Sequence, residues 1–188
     1  MENENRRWYA VRVRNKTEMQ VVEDFINLQV EHYLPILTRN YQRAGKKVKK
    51  EVLPIPRTLF VKISKQEMIL VRQVPNVYNF VCDRITNQPI PIPHYQMVNF
   101  KMMVDISEKD VILTTEKLPK GSLVEVAKGD LTGLCGELIR YENKYHLVVR
   151  VDLFGSALVR MPAAWVRRRK ETTNLNKIEK NKSNKRYA

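Results

Sequence analysis

Three histidines and two cysteines are the side chains best suited to hold a metal or attack a substrate. His32, His94, His146, Cys82 and Cys135 are scattered along the chain, with no pair at the short separations of a zinc site. A nucleophilic cysteine needs a base held beside it in space, and both thiols read more simply as buried structural residues. No acid/base pair and no phosphate-cradling loop stands out. The expectation is therefore no catalytic residue, no metal and no cofactor.

The chemistry on offer is electrostatic. The 188 residues carry 34 Lys and Arg against 20 Asp and Glu, a net charge of +14. Such an excess points to a polyanionic partner. Arg43, Lys46, Lys47, Lys49 and Lys50 crowd around Gly45, and residues 41–50 read as a basic loop. That loop is either a solvated hairpin tip or a nucleic-acid contact, with Lys46 and Lys47 as candidates. Residues 1–103 hold an excess of +8, residues 104–170 of +3, and residues 171–188 of +3. No single tail accounts for the charge.

Length and composition bound the class. A chain of this size makes one ordinary domain or two small ones, and a 43% hydrophobic content can build a core. Two distant cysteines give no disulfide framework. Nothing approaches the roughly 20 apolar residues of a membrane span, and the polar Met1–Asn5 start carries no signal-peptide core. A cytoplasmic protein with no membrane partner is expected, and a monomer. Residues 170–188 have too few apolar side chains to offset chain entropy and are expected to be a disordered basic tail, solubilising or touching nucleic acid.

The elements that must position these charges follow from the apolar pattern. Trp8-Tyr9-Ala10-Val11-Arg12-Val13 reads as a strand. Thr17 and Gln20 form a capping-box pair before Val21, Val22, Phe25, Ile26 and Val30, which predicts a helix over 17–29. Residues 33–38 and 58–63 read as strands, and Ser64 with Glu67 opens a short helix to about Arg72. Residues 77–82 read as a strand, and Pro93 opens a helix to about Met103. This succession predicts an α+β sandwich over 7–103, with helices on a mostly antiparallel sheet. Met97, Phe100, Met102 and Met103 fall at helical spacing and read as core.

Residues 104–117 lose any clean period and read as a linker. Beyond them, short apolar runs at 123–127, 135–141, 145–151 and 156–161 alternate with turn residues. Four or five strands in so short a stretch predict a small β-barrel over 118–169. Five of the six glycines lie at or beyond Gly121, which fits a barrel with tight corners.

The spacing Gly121-x-x-Val124-x-Val126-x-x-Gly129-x-x-x-Gly133-x-x-Gly136 resembles the KOW motif of SH3-like barrels in translation and transcription factors. The first unit narrows that choice. Arg7-Trp8-Tyr9-Ala10-Val11 resembles the opening of the NusG N-terminal domain. Pro54-Ile55-Pro56-Arg57-Thr58-Leu59-Phe60-Val61 resembles its P-L-F-P-G-Y-V-F-V segment, and Val74-Pro75-Asn76-Val77-Tyr78-Asn79-Phe80-Val81 its V-P-x-V-x-x-F-V segment. Ile90-Pro91-Ile92-Pro93 is similar to the approach to its last helix. The chain thus resembles a NusG-like transcription factor over residues 7–169, and the expected fold is a ferredoxin-like α/β sandwich followed by an SH3-like KOW barrel.

The resemblance implies a polymerase-binding factor that makes and breaks no bond. It would seat an apolar depression on the β′ clamp helices of RNA polymerase, bridge to the β lobe, and oppose pausing. By position that depression would comprise Ile55, Pro56, Thr58 and Phe60, with Phe80 nearby. The barrel would recruit a ribosomal or termination protein. The chain departs from the housekeeping pattern at Ile55, Arg57 and Thr58, where the motif has Phe, Gly and Tyr, and Gly129-Asp130-Leu131 replaces the usual G-P-F turn. These departures resemble the specialised RfaH and UpxY antiterminators of capsule polysaccharide operons. In that group Arg14, Lys16, Gln20 and Arg72 would face the non-template DNA strand, with nascent RNA as a further contact. A general bacterial elongation factor, or a KOW-type RNA-binding or ribosome-associated protein without polymerase contact, remains open.

Overall fold

Alternation along β1 (Arg7–Val13) divides that strand between two cores. Tyr9, Val11 and Val13 face one side, where Val21 and Phe25 of α1 (Glu18–Asn27) and Val71 of α2 (Met68–Gln73) close over them. Trp8 and Ala10 face the other side, toward Met97, Phe100 and Met103 of α3 (His94–Ile106). These features come from a computed structural model that describes residues 6–43, 45–107, 110–151 and 154–169.

β1 is an inner strand of a four-stranded antiparallel sheet, with β2 (Glu31–Tyr33), β5 (Thr58–Ile63) and β6 (Val77–Phe80) in the order β2-β5-β1-β6. With α1 and α2 as crossovers, this is the split β-α-β arrangement of ferredoxin-like folds. The Ser64–Glu67 capping box closes as expected: Ser64 N donates to Glu67 Oε2 at 2.7 Å, and Glu67 N donates to Ser64 Oγ at 3.3 Å. The Thr17 cap does not form. Thr17 Oγ1 donates instead to the Arg14 carbonyl at 2.9 Å, because the chain enters α1 through Lys16 at φ +64°.

Two stretches differ from the sequence expectation. Residues 41–50 are no loose loop but most of a regular ribbon, β3 (Leu37–Arg43) paired in register with β4 (Lys46–Val52). Gly45 at φ +76° supplies the left-handed turn that joins them. The stretch 104–117, expected as a linker with some extended character, holds the end of α3 to Ile106 and the strand β7 at Ile112–Thr114. The tail expected over 170–188 lies outside the described residues.

β7 is the edge of a six-stranded antiparallel sheet in the order β12-β8-β9-β10-β11-β7. Its other members are β8 (Ser122–Val126), β9 (Cys135–Tyr141), β10 (Lys144–Val151), β11 (Gly155–Arg160) and β12 (Val166–Arg168). Period-two alternation again splits β10. Leu147, Val149 and Val151 join the core that contains α3, whereas Val148 packs with Leu118, Ile139 and Leu158 on the far side.

One ionic clasp ties the start of this unit to its sheet. Arg150 donates to both carboxylate oxygens of Glu137 at 2.8 and 2.9 Å, and also to the Pro119 carbonyl at 2.8 Å; Gly121 N donates to Glu137 Oε2 at 2.9 Å. The Arg150 guanidinium, helped by the Gly121 amide, holds the Glu137 carboxyl below the ordinary glutamate range. A carboxyl lowered in the fold stabilises it above the ordinary value, and that contribution disappears as pH falls through the lowered value. Glu137→Gln is therefore expected to lose about 1–2 kcal/mol at neutral pH, as for charge-assisted bonds, and none below the folded-state value. Chemical denaturation at neutral and strongly acid pH measures this; an equal gap at both would mean that the clasp contributes no stability.

Candidate functional site

The two units are packed together, and the seam covers Thr58 and Phe60, two of the residues expected to bind polymerase. Phe60 and Thr58 are fully buried. The Phe60 ring meets Phe100 of α3 at 5.9 Å between centroids and Phe154, from the turn before β11, at 5.2 Å. Both are edge-on contacts of the kind aromatic rings prefer. The Arg12 guanidinium stands 5.9 Å from the centre of the Phe154 ring and donates to Thr58 Oγ1 at 2.7 Å. Asn99 Oδ1 on α3 accepts from Cys135 N at 3.4 Å. Tyr33 extends the cluster to Phe60 and Phe100, and its hydroxyl donates to Asp105 at 2.7 Å; burial and that carboxylate push its pKa well above the ordinary value.

Ile55 is half-buried against the same core, and Pro56 is exposed beside it. Phe80 does not join them. It lies on the opposite face of the sheet, 6.1 Å from Tyr9 and beneath α1 and α2. Strand register explains the separation. Phe60 pairs with Ala10 and Phe80 with Val11, so their side chains leave the sheet on opposite sides.

A second set gathers at the end of β1. Arg14 N donates to the Asn76 carbonyl at 2.9 Å and ties the β1–α1 loop to the α2–β6 loop. The Arg14 guanidinium lies 5.9 Å from the Tyr78 ring centre, and Arg72 lies 5.7 Å from that of Phe80. Arg14, Lys16, Gln20 and Arg72 are all exposed. Lys46 and Lys47 stand apart on the ribbon, where neighbouring lysines point to opposite faces: Lys46, Val48 and Lys50 share a face with Tyr41, while Lys47 and Lys49 face Gln42 and Asn40.

The NusG family model, described as transcription termination factor nusG, matches residues 6–101, just over half of the chain. The chain belongs to the NusG family. NusG-family proteins are transcription factors rather than enzymes, and the sandwich followed by a β-sheet unit is a NusG-like fold. Among solved structures, the chain is similar to Thermotoga maritima NusG, from a structure of its domain interaction. Identity is 18% over 88% of this chain and 98% of that one, with a TM-score of 0.43. It is also similar to a chain of the MjSpt4:Spt5 complex in conformation A. That match has 14% identity over 87% and 98% of the two chains and a TM-score of 0.27. No curated protein matches.

Membership explains one local oddity. The NusG motif places glycine where this chain has Arg57, and Arg57 adopts φ +58°, a left-handed conformation that costs a side-chain-bearing residue roughly 1 kcal/mol. Its amide donates to Glu18 Oε1 at 3.1 Å and its Nε to the Val13 carbonyl at 3.3 Å, which fix the turn without a glycine.

In the KOW-like unit, Gly129 and Gly133 take φ +86° and +89°. Gly121 instead sits where a Cβ would fall 2.4 Å from the Leu138 carbonyl oxygen. Gly136 is similarly close to the Val148 carbonyl, and Val124 is buried. Positive φ thus accounts for only two of the four motif glycines, and backbone crowding accounts for the others. Leu131 is buried, and Trp165 covers Gly129, so the tip presents an indole rather than a phenylalanine.

The sequence gives little sign that Tyr78 lies against Arg14 or that Phe154 lies against Phe60. Phe154 is visible in the sequence only as part of a Phe-Gly turn. Tyr78 carries a signal in the Val77-x-x-Phe80 spacing, which breaks strand alternation. Among the described residues no helix is long and apolar enough to cross a membrane, and no group of His, Cys, Asp and Glu could hold a metal ion.

Proposed function

We propose that this NusG-family factor is a specialised antiterminator recruited to a limited set of long operons, of the capsule polysaccharide type that its sequence resembles. Its first unit binds the β′ clamp helices through the face around Ile55, Pro56, Thr58 and Phe60 and reaches toward the β lobe. Arg14, Lys16, Gln20 and Arg72 lie against the exposed non-template strand. The bound factor suppresses pausing by shifting polymerase toward its elongating state.

The observation that carries this reading is the placement of Phe60 under the second unit. A factor whose docking face is covered binds with an affinity reduced by the fraction of open molecules. Such a factor is fitted to conditional recruitment, where a DNA or RNA signal favours the open form, and poorly fitted to following every polymerase. Genome-wide occupancy tests it. Signal confined to a few transcription units is expected, and uniform tracking of polymerase would sink the specialised reading in favour of a general elongation factor. Recovery of ribosomes without the β′ subunit, after nuclease treatment, would replace both with a KOW-type ribosome-associated role.

A further inference from the structure

Residues Val77-Tyr78-Asn79-Phe80 do not alternate as a regular strand would. Val11 pairs with Phe80 and Arg12 with Asn79, but Val13 pairs with Val77, so β6 carries one extra residue at this point. The bulge directs Val77 and Phe80 into the same core and leaves both Tyr78 and Asn79 outside it. A bulge of this kind re-aims a side chain. Without it, alternation would place Tyr78 on the face that buries Phe80; with it, the ring is 65% exposed.

A cation lies against that ring. It is Arg14, held by the backbone bond to Asn76, and Lys16 projects from the same loop. Arg72 covers Phe80 two residues further along. Glu18, the nearest acidic residue in sequence to Lys16, is buried with its carboxylate taken up by the Arg57 amide. An exposed aromatic ring with an arginine against it suits an unstacked base with its phosphate, because every base offers a π-face and every nucleotide a negative charge.

We propose that Tyr78 is a stacking platform for one unpaired base of single-stranded DNA, with Arg14 bracing the ring and meeting the adjacent phosphate. This rests on the reading that Arg14, Lys16 and Arg72 lie against an exposed strand. A duplex keeps its bases stacked on one another and offers Tyr78 nothing equivalent. The bulge is then what turns an otherwise buried tyrosine into a binding residue.

The test uses the full chain, a labelled oligothymidine of about ten nucleotides, matched to common single-strand site sizes, and a duplex of equal length, titrated over a range of salt. Tyr78→Ala is expected to weaken single-strand binding about 5- to 100-fold, as removal of one stacking ring does. Its salt slope and its duplex binding should stay as in wild type, and Tyr78→Phe, which keeps the ring, should bind normally. Arg14→Ala combined with Arg72→Ala should lower the slope by about 1.4, roughly 0.7 for each phosphate no longer neutralised. If the double arginine variant weakens binding and Tyr78→Ala does not, the strand contact stands and the platform falls. If Tyr78→Ala weakens single-strand and duplex binding alike, the platform also falls. If neither variant changes binding, both ideas are overturned. Thermal melting of each variant confirms that the fold is intact.

Discussion

Phe154→Ala raises the apparent affinity of the full chain for RNA polymerase by roughly 10- to 50-fold, the factor expected when about 2 kcal/mol of docking is removed from a closed form that dominates. The ring is the contact through which the second unit touches Phe60, and Arg12 stacks on it from the first unit. Truncation removes an edge-on aromatic pair and a cation–π contact together. The residue is half-buried and sits in a turn, so the β-sheet unit itself keeps its hydrophobic interior. Titration against purified polymerase gives the affinity, and hydrogen exchange over β5 shows whether the seam has loosened. Faster exchange with unchanged affinity would mean that the covered face is not the one polymerase uses. Unchanged exchange would mean that Phe154 contributes little to the seam.

Replacing Lys46, Lys47, Lys49 and Lys50 by glutamine flattens the salt dependence of binding to elongation complexes by about 1.8 in logarithmic slope, near 0.9 for each of the two lysines on one face of the ribbon. The β3–β4 ribbon makes this a geometric statement as well as an electrostatic one. An isolated two-stranded ribbon is marginal alone. This one is anchored at its base by buried Leu37 and by Arg39, which donates to the Val111 carbonyl. Its lysines alternate between faces, so no single flat surface can engage all four. A strand or groove lying on the Tyr41 face meets Lys46 and Lys50, and the opposite face offers Lys47 and Lys49 beside the amides of Gln42 and Asn40. Two double variants separate the faces. A slope change confined to one pair identifies the face in use, and no change in the quadruple variant retires the ribbon as a nucleic-acid element.

The strands and helices were legible because each buries one face of an alternating or helical pattern. β1, β5, α1 and α3 carry Trp8, Phe60, Phe25 and Phe100 at positions where the period alone predicts burial. The ribbon was not legible, since β4 carries lysines on both faces and is exposed from Lys46 to Glu51, with no buried side to mark it. The β7 strand was missed for a related reason. It has only three residues, and its pairing with β11 is a long-range choice that no local pattern records.

Among the candidate residues, motif position grouped Thr58 with Phe60, which are buried together under the seam, and Arg14 with Arg72, which lie against Tyr78 and Phe80. It grouped Phe80 with Phe60 because both belong to conspicuous apolar motifs, whereas strand register decides which face each occupies. The seam between the units was invisible for a simpler reason: side chains that fill an interdomain contact look like any other core residues.

In the opening proposed above, the pairing of β7 with β11 would set how far the second unit can travel from the first. Only five residues separate the end of α3 at Ile106 from Ile112, and a chain that short spans roughly 20 Å when fully extended. While β7 stays zipped, the departing unit is on a short leash and hovers beside the face it has just uncovered. Unzipping β7 frees the chain only as far as Leu118, which packs into the sheet unit beside the Arg150 clasp, and lengthens the leash to roughly 40 Å. In the proposed open form, that three-residue strand would divide capture into a near zone, where re-closure competes with polymerase, and a far zone, where a distant partner is within reach.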